Sequence, residues 1–294
     1  MSVFCGAKAI RSTGYNLPTS ASGWQSIPWN AEEFDSDEFH DNATEPSRFI
    51  VPAGKAGKYV VGGCWAQSSN IGDARSLYIQ LLKNGTLIKG SYLQHNHENG
   101  LSAAQTPAMN SLALVDLADG DYVQQQNYGY DSTAAMDTDV AGFWIYRTPD
   151  PDAPFAGCSL SRTAALTATS GAWTAHPFDS EVFDIGGYHD TVVNNSRITI
   201  PSGKDGYYHV GACYTIGSGA ADLARHFLRI YKNGALVKGG GYQARQSGST
   251  NPGCWCSTLV YAAAGDYLEA MYNLDGAYAL EVGSSGFWAH LVGT

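Results

Sequence analysis

RSLYIQLLKNGTLIKG, Arg75–Gly90, returns as RHFLRIYKNGALVKGG at Arg225–Gly240. Each copy sets an Asn-Gly pair, Asn84-Gly85 or Asn233-Gly234, between alternating apolar runs. A two-residue type I′ turn needs positive φ at both central positions, and Asn-Gly is the pair that supplies it most readily, so each stretch reads as a β-hairpin. Aligning the copies at the turn places Ile79 and Leu81 against Leu228 and Ile230, and Leu87 against Leu236, as one strand face. Gln80 and Arg229 fall on the other. A hairpin that occurs twice makes the chain two similar β domains.

The rest of the sequence registers in the same way. Trp24 matches Trp173, Phe34-Asp35 matches Phe183-Asp184, Phe39-His40-Asp41 matches Tyr188-His189-Asp190, and Arg48 matches Arg197, all at a shift of 149. IVPAGKAGKYVV and ITIPSGKDGYYHV share Pro, Gly, Lys, Gly and Tyr: a strand ends at Pro52 or Pro201, a Gly-rich turn reverses it, and another starts near Tyr59 or Tyr208. The shift falls to 145 at Gly120-Asp121-Tyr122 and to 144 at Gly142-Phe143-Trp144, so the frame is kept while loops vary. Residues 1–148 and 155–294 are the expected domains, joined by the Pro-rich, extended linker 149–154. Short strands, frequent turns and no helical periodicity predict an all-β chain of two tandem sandwiches or jelly rolls.

Composition narrows function. Only 15% of the 294 residues are charged, and 27 acids against 17 Lys and Arg give a formal charge of −10. Without a basic run, nucleic acid is not an expected partner. No stretch of about 18 apolar residues and no secretory leader is read, so the expectation is a protein made in a reducing cytoplasm, without a membrane partner. The six cysteines are too sparse for a disulfide framework and are expected as free structural thiols.

The ordered set FD…FHD, R…IP..G.Y, KNG, GDY and GFW, present in both halves, resembles the globular-head domain of the first complement component, within the tumour-necrosis-factor-like jelly rolls. FDSDEFHD with KNG is similar to the versions carried by bacteriophage structural proteins. The resemblance implies ten-stranded jelly rolls, assembly as a homotrimer with aromatic residues near the threefold axis, contacts with other virion proteins, and a virion location. It also implies a non-enzymatic role. Animal members usually follow a collagen stalk and a signal peptide; neither is read here, which favours the virion over secretion.

Candidate interface or core aromatics are Tyr59, Tyr208, Phe143, Trp144, Phe287 and Trp288, chosen for their large apolar area. The alternative function is a receptor- or saccharide-binding module, with Gln126, Tyr128 and Tyr130 in an amide-rich run that would engage host surface glycan. Variable loops around 93–108 and 243–254 would face neighbours or a host surface. Asp35-Ser36-Asp37-Glu38 with Asp41 could be a calcium loop, but the second copy reads Asp184-Ile185-Gly186-Gly187, and a solvated turn is the preferred reading. His95 and His97 have no third ligand nearby, and no metal or cofactor is expected. His40 and His189, each between an aromatic residue and Asp, read as structural hydrogen-bonding residues. No Gly-x-Ser-x-Gly, phosphate-loop or His-Glu-x-x-His motif is present, and no catalytic residue is expected.

Overall fold

The structure is a computed structural model of the chain. It describes residues 3–17, 23–66, 76–96, 108–129, 134–149, 154–168, 171–217, 225–245, 253–282 and 284–294. Two compact units emerge, one from Phe4–Pro149 and one built on Asp150–Thr294. Among the described residues every regular element is a strand.

In the first unit the strands are β1 (Gly6–Ile10), β2 (Asn16–Leu17), β3 (Gln25–Ser26), β4 (Ala31–Asp35), β5 (Phe49–Ile50), β6 (Gly57–Ala66), β7 (Ser76–Lys83), β8 (Thr86–Leu87), β9 (Leu93–Asn96), β10 (Ala108–Leu117), β11 (Tyr122–Gly129), β12 (Ala134–Ala135) and β13 (Gly142–Arg147). One sheet runs β10-β6-β13-β1-β4; the other runs β3-β11-β7-β8, with β5 on β11 and β9 on β7. Because β6, β10 and β13 belong to one sheet and β7 and β11 to the other, the chain crosses between sheets at nearly every turn. That interleaved antiparallel order is a jelly roll. The sheets close on a core in which Phe49 stacks on Phe143 at 4.7 Å, with Val61, Ile79, Leu81 and Val123 around them.

The second unit repeats this with β14 (Gly157–Ser161), β15 (Leu166–Ala168), β16 (Thr174–Ala175), β17 (Ser180–Ile185), β18 (Arg197–Thr199), β19 (Gly206–Thr215), β20 (Arg225–Lys232), β21 (Ala235–Arg245), β22 (Gly253–Ala262), β23 (Tyr267–Leu274), β24 (Tyr278–Leu280) and β25 (Gly286–Gly293). Its sheets run β17-β14-β25-β19-β22 and β16-β23-β20-β21, with β18 on β23. Among the described residues these two sheets hold ten strands, with β15 and β24 paired apart; the two sheets of the first unit hold eleven, because β8 and β9 stand where β21 is continuous, with β2 and β12 paired apart.

The repeated motifs prove to be local devices that hold turns. Asn84 and Asn233 sit at φ 48° and 51°, and the following glycines at 77°, as the tight hairpin requires. Each Asn side chain then reaches the neighbouring turn: Asn84 Nδ2 donates to Asp121 and its Oδ1 accepts from Tyr122 N, and Asn233 treats Asp266 and Tyr267 identically. Arg48 lies over the Tyr122 ring at 4.2 Å and Arg197 over Tyr267 at 3.9 Å. The Lys-Asn-Gly, Gly-Asp-Tyr and Arg pieces are therefore one cluster at one end of each sandwich. In the Pro-x-Gly-Lys turns, buried Tyr59 and Tyr208 donate to the carbonyls of Lys55 and Lys204, each at 2.5 Å.

One face assignment is corrected. Leu87 and Leu236 do not share the core face of Ile79, Leu81, Leu228 and Ile230. The two-residue turn pairs Leu82 with Leu87 and Tyr231 with Leu236, which puts both leucines on the outward face. Ile88 and Val237 pack against the cores in their place.

Candidate functional site

Strand alternation gives each five-stranded sheet an inward face, in the core, and an outward face. On β13 and β25, Phe143 and Phe287 point inward, while Trp144 and Trp288 point outward. The outward neighbours across the ladder are glycines: Trp144 pairs with Gly62 and Trp288 with Gly211. The indole fills the space a side chain would take there. Tyr59 and Tyr208, also candidates for an interface, are fully buried in the cores.

Further aromatics extend these outward faces. In the first unit Phe4 meets Phe34 edge-on at 5.7 Å, and Trp144 stacks with Tyr146 at 6.0 Å. The second unit repeats the first pair as Phe155 and Phe183 at 5.6 Å, and Phe155 stacks on His290 at 6.1 Å. His290 stacks with Trp288, and His209 meets both rings. Burial pushes His290 down to about 4, and pushes His209 well below the usual histidine range with a smaller contribution from His290. Both imidazoles are therefore neutral at pH 7 and add to an uncharged surface. Large apolar side chains on these sheets stay accessible: Leu114 is 64% exposed, Phe155 49%, Tyr261 44% and Phe183 40%. Trp144 and Tyr146 are themselves buried, at 1% and 3% exposure, and Leu114 stands two strands away on β10.

The other candidate residues lie elsewhere. Gln126 and Tyr128 are on β11, in the second sheet of the first unit, with side chains on its outward face; Tyr130 lies outside the described residues. Alternation sends their neighbours Gln125 and Asn127 into the core, where the two carboxamides meet at 3.1 Å. The run is thus a strand and only half of it is outward. Beside Gln126 and Tyr128, the structure gathers Trp24, Tyr78 and Tyr92, which the sequence reading did not join to them. Most of the variable loops, including His97, also fall outside the described residues.

The acidic run does not converge. Asp35 accepts backbone N–H bonds from Asp37, Phe39 and His40, Asp37 pairs with Lys55 at 2.6 Å, and Asp41 caps Ala43 and Thr44. Asp184 receives the same three-amide set from Gly187, Tyr188 and His189. Asp35, Asp41 and Asp184 are spent on their own loops, and Asp37 on Lys55. His40 contacts Glu32 at 3.0 Å and the Pro46 carbonyl at 3.1 Å; His189 contacts Glu181 and the Asn195 carbonyl at 3.1 and 3.2 Å. All four partners are hydrogen-bond acceptors.

Comparison with solved structures finds tumour-necrosis-factor-like and complement globular-head folds. Murine APRIL at pH 5.0 matches 47% of this chain and 99% of its own at 9% identity and a TM-score of 0.35. The globular domain of zebrafish complement 1qA matches 49% and 96%, at 12% identity and 0.33. Eiger TNF from S. frugiperda matches 52% and 97%, at 13% identity and 0.37. No protein-family model matches the chain. Nor does any curated protein. The strand order stated above carries the assignment of the fold as tandem jelly rolls; likenesses this distant do not extend it to function.

Proposed function

We propose that this chain is a non-enzymatic structural protein of a bacteriophage virion, in the tail or on the capsid surface, that works as a homotrimer. The observation that carries self-association is the outward face of each five-stranded sheet, where Leu114 stands exposed in the first unit and Phe155, Phe183 and Tyr261 stand exposed in the second, around the half-buried Trp288 indole. Association would bury such faces, and obligate interfaces of this type commonly exceed about 2,000 Å² in total. Aromatic side chains would supply most of the binding free energy. The threefold symmetry rests on the resemblance of the ordered motif set to tumour-necrosis-factor-like jelly rolls, and the virion setting on that of the FDSDEFHD and KNG stretches to phage structural proteins.

Particle mass in solution tests the assembly. Sedimentation equilibrium over a wide concentration range is expected to give three times the 31.3 kDa chain mass. A species that stays monomeric at the highest concentration overturns the trimer. Density for the chain in an intact virion supports the setting, and its absence from purified particles removes it.

A further inference from the structure

We infer that the outward face of the second sheet in the first unit, formed by β3, β11 and β7, is a platform for a neutral saccharide. This goes beyond self-association and rests on a different surface. Two parallel rows cross that face. The register pairs Ser26 with Gln126 and Gln126 with Gln80, making a polar row; one step along, Tyr128 pairs with Tyr78, and Trp24 extends this second row.

The polar row is a directed chain. Gln80 Nε2 donates to Gln126 Oε1 at 2.9 Å, and Gln126 Nε2 donates to Ser26 Oγ at 3.2 Å. Each carboxamide keeps a second N–H, and Gln80 keeps its carbonyl oxygen, for a ligand. In the aromatic row, Trp24 lies 5.8 Å from Tyr128 and 6.0 Å from Tyr78, and Tyr92 closes the group at 6.1 Å from both Trp24 and Tyr78. Tyr92 is 43% exposed, and the other three rings are half-buried and held by one another.

A sugar ring has an apolar C–H face and a rim of hydroxyls that both donate and accept. An aromatic face takes the first, through dispersion and the negative face of the π system. Carboxamides beside it take the second, because an amide offers a donor and an acceptor to vicinal hydroxyls. None of the seven side chains is charged at neutral pH, so the platform offers no ion partner to a carboxylated or sulfated glycan and matches a neutral one.

The second unit supplies the contrast within the same chain. There Arg229 replaces Gln80, and its guanidinium lies over the Trp173 ring at 4.7 Å. Met271 stands at the place of Gln126, and Asn273 at that of Tyr128. The ring face is covered by a cation and the amide row is gone.

The test uses the intact chain on an array of neutral and acidic oligosaccharides, followed by titration of a retained neutral one. Tyr92→Ala and Gln80→Arg, the latter importing the second unit's cap, are expected to weaken binding roughly tenfold or more. Trp173→Ala is expected to leave it unchanged. Circular dichroism and particle mass, matched to the parent, assign the loss to the platform. Retention of no neutral saccharide, retention of acidic ones alone, or binding indifferent to both substitutions overturns the proposal. Because mass is measured alongside, the platform can fail while the trimer stands, and the reverse.

Discussion

Trp144 lies flat across Gly62, and Trp288 repeats the arrangement over Gly211: a Cβ on either glycine would fall 2.1 or 2.2 Å from the indole Cζ2. Both glycines serve close approach, and neither is one of the positive-φ positions. Gly62→Ala and Gly211→Ala are therefore expected to force the indole off the sheet and to cost about 1–3 kcal/mol each by overpacking. Gly14→Ala, with open space around the position, should change stability by less than about 0.5 kcal/mol. Urea unfolding midpoints of the three variants check this.

The hairpin asparagines carry both a backbone and a side-chain role. Asn84→Gly keeps the positive φ and loses the bonds to Asp121 and Tyr122, for an expected loss of about 1 kcal/mol. Asn84→Ala loses both and should cost more, about 2 kcal/mol. The same order is expected at Asn233, where the contacts recur. In denaturant unfolding, equal costs for the two variants would show that the positive φ contributes nothing, and an Asn84→Gly variant as stable as the parent would show that the side-chain bonds contribute nothing.

Acid should destabilise the second unit before the first. Burial lowers His176 and His290 to about 4, so the folded state resists protonation while the unfolded chain takes up protons below about 6.5. Stability is full above that value and is lost as pH falls from about 6.5 towards 4, by at most about 3 kcal/mol per group. The first unit has Ile27 and Tyr146 at these places. His176→Ile with His290→Tyr is expected to lessen the fall of the melting temperature over that window, leaving the part that His209 contributes, as followed by calorimetry.

If the outward faces bind other copies, charge on them should separate the copies. Phe183→Glu and Tyr261→Glu, both at accessible sites, are expected to lower particle mass to that of one chain without loss of β structure. Sedimentation and circular dichroism on the same samples distinguish dissociation from unfolding.

Much of the fold was legible because its signals are short-range. Asn84-Gly85 and Asn233-Gly234 announce hairpins through their own backbone preferences, and the repeat doubles every such signal. Face assignment was harder. Leu87 was misplaced because a two-residue turn, by setting which residues face each other, sets the face on which each side chain stands. The run from Gln124 to Asn127 read as a polar surface, although Gln125 and Asn127 are buried, because alternation of apolar residues says nothing about polar side chains that partner each other in a core.

What the order of amino acids settles here is duplication, strand class and the position of each turn, all governed by φ preferences and period-two patterning over a few residues. Strand order in the sheets is another matter. Only the folded arrangement brings Trp24, Tyr78, Tyr92 and Tyr128 from four separate segments to one face, and only it lays Trp144 on Gly62. Neighbours across a sheet are chosen by how two apolar faces close on one another, a long-range condition that no local stretch contains.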